Sequence, residues 1–183
     1  MSGGLDSTAA AIILQKQGYE VEGLTLKMHK NLGDSESEGA ERIAKSLNLK
    51  HQTIEVQKEF KNQVIQYFLD EYLSGNTPNP CVHCNKRIKW KILLEKAREF
   101  HCDYIATGHY AKIYKKGDYF RLFKADDVTK DQSYFLWELD QETLSKAIFP
   151  LGNYLKENLG DLIPASLYSY FHKQKESMEI CFI

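Results

Sequence analysis

Apolar positions along the first 110 residues follow two alternating rhythms. Thr8 to Gln17 (TAAAIILQKQ) is a compact helical stretch, with Gly18 as its stop. Val21 to Met28 (VEGLTLKM) is short, mostly apolar and strand-like. From Asp34 to Leu47, the residues Ala40, Ile43, Ala44 and Leu47 fall at helical spacing behind a Ser35-x-x-Glu38 capping box. His51 to Val56 reads as a second strand. Phe60, Val64, Tyr67, Phe68 and Tyr72 then give a helix with a broad apolar face. Gly75 to Cys84 (GNTPNPCVHC) has two prolines and no periodicity, which predicts a loop. Asn85 to Phe100 is an amphipathic helix, and Tyr104 to Thr107 is a short strand ended by Gly108.

Alternating β and α segments of this length predict an α/β fold, a parallel sheet flanked by helices. Ligands in such sheets bind at the carboxyl ends of the strands. The texture changes after Ala111. Lys112 to Phe123 (KIYKKGDYFRLF) reads as a hairpin turning at Lys116-Gly117-Asp118, and the rest is aromatic-rich and less regular. Residues 1–111 are thus expected to form one unit and 112–183 its continuation. No internal repeat or low-complexity tract is visible. The chain opens almost on a glycine-rich turn, with no strand before it. It closes on Ile180-Cys181-Phe182-Ile183, which reads as a strand cut midway. Both ends give the pattern of a fragment.

Composition narrows the classes without choosing among them. Of 183 residues, 43% are apolar and 27% charged, an ordinary globular balance outside the disordered range. Lys plus Arg is 24 and Asp plus Glu is 25, for a formal net charge of −1. A basic coat over the whole surface is excluded, so any nucleic-acid contact must come from a local patch. No apolar run reaches the roughly 18 residues of a membrane span, and MSGGLDSTAA lacks the features of a signal peptide. Four cysteines are too few for a secreted disulfide scaffold. A cytoplasmic location is expected, where paired cysteines more often mean metal or redox chemistry.

Chemistry is concentrated in a few strings. In Ser2-Gly3-Gly4-Leu5-Asp6-Ser7, two glycines allow a sharp turn and close approach to a ligand. The helix that follows offers free N–H groups to phosphate. The hydroxyls of Ser2 and Ser7 add donors, and Asp6 can hold magnesium or orient the loop. The plainer reading is a turn with Asp6 or Ser7 as N-cap. Cys81 and Cys84 form a Cys-x-x-Cys pair. Cys84, read at a helix start near Lys86 and Arg87, is expected to have a lowered pKa and a reactive thiolate. A redox pair, or half a zinc site completed by His83 and Cys181, is the alternative. His109, in Gly108-His109-Tyr110-Ala111, follows a strand at its carboxyl end. Lys130-Asp131-Gln132-Ser133 reads as a polar turn before an apolar helix. Lys86, Arg87, Lys89, Lys91, Lys112, Lys115, Lys116, Arg121, Lys124 and Lys130 could form a phosphate-contacting face. Cys102 reads as packing, and Cys181, among apolar neighbours, as a small buried thiol.

The opening string resembles the PP-loop of the ATP pyrophosphatases (SGGxDS). The order of motifs is more specific still. Met1 to Ser7, Thr77 to Asn85, Ala106 to Ala111, Lys130 to Leu136, Phe149-Pro150-Leu151-Gly152 and Glu179 to Ile183 closely resemble the tRNA-specific 2-thiouridylase family. Proteins of that family are about twice this long, with a central domain and a C-terminal β-barrel beyond the matching region. The resemblance implies a doubly wound parallel sheet. It implies ATP, with magnesium, held by Ser2, Gly3, Gly4, Leu5, Asp6, Ser7 and Gly108, with Leu26 lining the adenine pocket. It implies that Asn79, Pro80 and Cys81 hold the target base, and that His109, Lys130, Asp131 and Gln132 touch tRNA. It also implies that the 112–123 hairpin contacts tRNA. Cys84 would be the nucleophile and Cys181 the carrier of a persulfide supplied by a sulfur-donor protein. The implied reaction adenylates the C2 oxygen of the wobble uridine and replaces it with sulfur. Many family members have Asp where this chain has Cys81. The resulting trio of Cys81, Cys84 and Cys181 leaves an iron–sulfur-dependent thiolase as an alternative, and a non-catalytic nucleotide- or tRNA-binding fragment as another.

Overall fold

The computed structural model describes residues 1–28, 33–171 and 180–182. Helix α1 (Leu5–Lys16) starts directly behind the glycine turn, three residues ahead of the predicted Thr8. Gly3 has φ of 78°, the left-handed conformation that favours glycine, and Gly4 is extended. Residues Thr8 to Leu14 of α1 are all buried. A helix apolar on every side must be covered on every side.

Strand β1 (Glu22–Lys27) pairs in parallel with β2 (Lys50–Glu55) across helix α2 (Gly33–Ser46). Because α2 begins at Gly33, Ser35 lies inside the helix, and the expected capping box is not its start. Ahead of the glycine turn, Met1 lies beside β1. Its amine donates to the Leu24 carbonyl, and its carbonyl accepts from the Thr25 hydroxyl at 2.6 Å.

After β2 the chain is helical through α3 (Gln57–Phe60), a π-helical segment (Lys61–Ile65) and α4 (Gln66–Leu73). The predicted loop ends early. Pro80–Cys84 is helical (α5), and it continues through a second π segment (Asn85–Lys89) into α6 (Trp90–Glu99). Asn79 is the N-cap of α5, accepting the Val82 N–H at 3.2 Å, and Pro80 sits where its missing N–H costs nothing.

Strand β3 (Ile105–Ala106) pairs in parallel with β6 (Ala147–Ile148). Between them lie the antiparallel hairpin β4 (Lys112–Lys116) and β5 (Tyr119–Phe123), turning at Gly117 with φ of 63°, a 3₁₀ turn (Ser133–Leu136) and helix α7 (Gln141–Lys146). The chain then runs through a 3₁₀ segment (Lys156–Leu162) to α8 (Ala165–Phe171). The α/β class with parallel strands is the one the alternation predicts.

Three apolar clusters hold these elements. One joins Ala9, Ala10, Ile12 and Ile13 of α1 to Ile43, Tyr110, Ala125, Leu151, Leu159, Ile163 and Leu167. A second gathers Trp90, Ile105, Ala111, Leu136, Leu144 and Phe149. The third is Val56, Phe60, Val64, Cys84 and Ile88. The first two draw residues from both sides of Ala111. Two local expectations fail. Ile180 to Phe182 form no strand, since Phe182 finds cover against the rings of Phe60 and Phe68 at 5.8 and 5.5 Å instead of a sheet neighbour. Cys102 is exposed rather than packed, because α6 ends at Glu99 and a left-handed His101 (φ 57°) turns the chain outward. Ile183 lies outside the described residues.

Candidate functional site

The glycine turn is held open by its own polar groups. The Ser2 N–H and hydroxyl reach Ser7 Oγ at 3.2 and 3.3 Å, and the Gly4 N–H donates to Ser2 Oγ at 3.3 Å. Ser7 and Thr8 hydroxyls donate to the Gly4 carbonyl at 3.0 and 2.9 Å. No side chain caps α1, so neither Asp6 nor Ser7 is the N-cap of the plainer reading. A 12-residue helix whose first turn is left uncapped beside two serine hydroxyls is a donor set suited to phosphate oxygens.

Gly108 belongs to the same site. A Cβ there would lie 3.0 Å from both the Asp6 carbonyl carbon and the Ser7 nitrogen, so only glycine allows this approach. Asp6 accepts from the Tyr110 hydroxyl at 3.0 Å and from Lys156 Nζ at 2.5 Å. Of the two roles read for Asp6, orienting the loop is the one these contacts serve. Lys156 is the residue that sequence reasoning missed. It lies 150 positions from Asp6, behind the Phe149-Pro150-Leu151-Gly152 string, and no local pattern marks it.

The cysteine site lies at the carboxyl ends of β1 and β2. Leu26 and Ile54 line it from the strands, Met28 and Val56 from the residues just beyond them, and Phe60, Val64 and Ile88 from the helices. Cys84 is buried among them, at the fifth position of α5 rather than at a helix start. Burial pushes its thiol up to about 11, while Lys89 pulls it down less strongly and the nearby Cys181 and Cys81 add to the rise. The expected low-pKa thiolate is therefore corrected: at neutral pH Cys84 is a protonated thiol. Lys86, expected to activate it, is instead paired with Glu138 at 3.0 Å. Cys181 is exposed, not the buried thiol its neighbours suggest. Phe182 beside it packs into the cluster around Cys84, which brings together two cysteines 97 positions apart.

Pro80 is buried and Cys81 half-buried, with the Asn79 side-chain oxygen engaged in the cap. Asn85 ties this helix to the following region, donating to the Cys81 and Phe135 carbonyls at 3.1 and 3.3 Å. His83 stacks on Tyr67 with ring centroids 4.0 Å apart, which favours packing over metal binding. Among the described residues no three of His, Cys, Asp and Glu converge as a metal site, and Cys81, Cys84 and Cys181 are all described.

Asp131 and Gln132 spend their side chains on the protein. Asp131 accepts from the Ala125 N–H and the Ser133 hydroxyl at 2.9 and 2.8 Å. Gln132 exchanges bonds with Tyr110, its N–H donating to the carbonyl at 2.8 Å and its side-chain oxygen accepting at 3.1 Å. Gln132 thereby fixes the Gly108–Ala111 loop, and Asp131 holds its own turn against Ala125. Lys130 precedes them in the same turn. His109 bonds the Thr107 hydroxyl through Nδ1 at 2.8 Å. Desolvation, helped by Lys89, pushes its imidazole down to about 3, so the ring is neutral.

No helix among the described residues is long and apolar enough to cross a membrane. A family model described as the tRNA methyl transferase HUP domain matches residues 1–183. A tRNA-specific 2-thiouridylase MnmA of Bacteroides fragilis is 44% identical over 183 residues, covering all of this chain and 49% of its own length. The corresponding proteins of Cytophaga hutchinsonii and Syntrophomonas wolfei are 43% and 45% identical, again over the whole chain and 53% and 54% of theirs. The chain thus spans about half the length of the curated relatives it matches. In fold it is similar to a predicted subunit of tRNA methyltransferase from Methanocaldococcus jannaschii, with a TM-score of 0.53 and 22% identity, covering 88% of this chain and 72% of that one. By a match that leaves no residue out, and by relatives sharing more than two residues in five, the chain belongs to the tRNA methyl transferase HUP domain family, alongside the tRNA-specific 2-thiouridylases.

Proposed function

We propose that this chain is the nucleotide- and sulfur-handling half of a tRNA 2-thiouridylase. The observation that carries the reading is the seat of Phe182 against Phe60 and Phe68 on the cluster that buries Cys84, with the adjoining Cys181 close enough to act on that thiol electrostatically.

The C2 carbonyl oxygen of uridine is a poor leaving group. ATP transfers AMP to it and pyrophosphate departs, with the Ser2–Ser7 turn, the start of α1 and Lys156 offsetting phosphate charge. Magnesium would arrive with the nucleotide, held mainly by its phosphates, since Asp6 is engaged by Lys156 and Tyr110. The terminal sulfur of a persulfide on Cys181, delivered by a sulfur-donor protein, attacks C2 and AMP leaves. Cys84 then attacks the Cys181 sulfur and loses its proton. The S–S bond to the transferred sulfur breaks, 2-thiouridine is released, and a Cys84–Cys181 disulfide remains for a dithiol to reduce. Burial of Cys84 suits this order. A thiol kept protonated is not consumed by stray disulfides before Cys181 is loaded. The target base must leave its loop to reach Asn79–Cys81, which suits an anticodon nucleotide. His109, being neutral, contributes a hydrogen bond to RNA rather than a charge.

The test is a single reaction of Mg-ATP, a persulfide donor and unmodified tRNA, with pyrophosphate and 2-thiouridine measured together. Cys181→Ser should abolish 2-thiouridine and leave pyrophosphate release within about twofold. Equal loss of both products, or no pyrophosphate from the unsubstituted chain, overturns the reading.

A further inference from the structure

Asn85 opens the second π segment and is 3% exposed. Its amide nitrogen donates in two directions. One bond goes back to the Cys81 carbonyl at 3.1 Å, and the other crosses to the Phe135 carbonyl at 3.3 Å, 50 positions away in the chain. With both donors facing carbonyls the amide has one orientation, and its oxygen is left buried with no hydrogen-bond partner among the described residues. A leucine of similar size would fill this place without an orphaned acceptor. A buried amide that leaves one end unmet is a poor choice for stability alone.

The Phe135 carbonyl is the near end of a longer path. The Phe135 N–H donates to the Gln132 carbonyl at 3.0 Å, and Gln132 exchanges hydrogen bonds with Tyr110 at 2.8 and 3.1 Å. The Tyr110 hydroxyl in turn donates to Asp6 at 3.0 Å. Hydrogen bonds therefore link the nucleotide turn, through the Gly108–Ala111 loop and the 3₁₀ turn, to the start of α5. Cys81, whose carbonyl ends the path, lies in the string read as holding the target base.

We infer that Asn85 is a positioning residue, which braces the Asn79–Cys81 turn against the Ser2–Ser7 turn so that the target base and the α-phosphate of ATP are held in one frame. The inference rests on the proposed reaction for its chemical consequence, while the brace itself is a mechanical coupling of two turns. Attack of the uridine C2 oxygen on the α-phosphorus needs the two atoms about 3–3.5 Å apart and aligned, and a misplacement of about 1 Å costs on the order of 100-fold. The two turns stand on different helices far apart in the chain, α1 and α5, so their spacing must be set by tertiary bonds. Without the brace, water takes the place of the uridine oxygen. It bonds to the α-phosphorus, the bond to pyrophosphate breaks, and the proton goes to solvent. AMP and pyrophosphate then form without 2-thiouridine.

Two measurements on the unsubstituted chain, Asn85→Leu and Tyr110→Phe test the brace. The first is the amount of pyrophosphate released per 2-thiouridine in the complete reaction. The ratio should be about one for the unsubstituted chain and rise about tenfold in each variant. The double variant should rise little further, because both substitutions cut one path. A chain that is merely less folded loses both products together and keeps its ratio. The second measurement needs no tRNA. A non-hydrolysable ATP analogue should slow iodoacetamide labelling of Cys81, read by mass spectrometry, about threefold in the unsubstituted chain and not at all in Asn85→Leu. Equal loss of both products in Asn85→Leu overturns the brace and leaves the proposed reaction standing. So does an absence of Cys81 protection in the unsubstituted chain, or protection that survives the substitution. If the unsubstituted chain makes no 2-thiouridine, the proposed reaction falls, and Cys81 protection alone decides the brace.

Discussion

Cys84 keeps its proton because its surroundings are the side chains of Val56, Phe60, Val64 and Ile88. With the thiol at about 11, the thiolate fraction grows about tenfold per pH unit across the neutral and mildly alkaline range. Alkylation of Cys84 by iodoacetamide, followed by mass spectrometry, should be slow at pH 7.5 and rise with that slope up to about pH 11. Phe182→Ala should speed it at fixed pH by uncovering the cluster. Labelling of Cys84 at pH 7.5 as fast as exposed Cys102 would contradict this account. The sequence suggested the opposite, since Lys86 and Arg87 stand next to Cys84 in the chain. Val56, Phe60 and Val64 stand 20 and more positions before it, and they are what touch it. A thiol's neighbours along the chain are legible from sequence; its dielectric surroundings are not. By contrast Gly108, visible in the sequence as a glycine behind a strand, sits against the Ser2–Ser7 turn, where the requirement is a missing Cβ.

At the scale of elements, α5 shows how punctuation can mislead. Two prolines in GNTPNPCVHC predict a loop, yet Pro80 at the first helical turn starts a helix once Asn79 caps it. Asn79→Ala should remove about 1 kcal/mol of stability, seen as a lower urea midpoint with an unchanged slope. Asn79→Asp, which keeps a capping oxygen, should recover most of it. The two π segments, Lys61–Ile65 and Asn85–Lys89, are invisible to a search for 3.6-residue periodicity, because each shifts the apolar face by one position. Both contribute buried residues, Val64 and Ile88, to the cluster around Cys84. The hairpin was fully legible, since alternation and a glycine with positive φ are both local properties.

For the whole molecule, the alternation of strand-like and helix-like stretches gave the α/β class, whereas the partners within the clusters were out of reach of any local pattern. One global property follows from His109. A histidine held near pH 3 when folded, against about 6.5 in an unfolded chain, favours the fold fully above pH 6.5. On acidification the unfolded chain takes up the proton first. This contribution should therefore fade below pH 6.5, by up to about 2 kcal/mol at pH 5. Urea midpoints at pH 7 and pH 5 should differ more for the unsubstituted chain than for His109→Gln; equal differences would assign the acid sensitivity elsewhere. A last consequence concerns time rather than energy. Helix α1 is apolar all round, and much of its cover comes from Leu151, Leu159, Ile163 and Leu167. A ribosome adds about 5–20 residues per second, so roughly eight to thirty seconds separate the synthesis of Ile12 from that of Ile163. During that interval the Ala-Ala-Ala-Ile-Ile-Leu stretch has no native cover for those faces. A factor that shields exposed apolar segments has a target in that interval, and the Ser2–Ser7 turn is made well before the cover that locks the helix behind it.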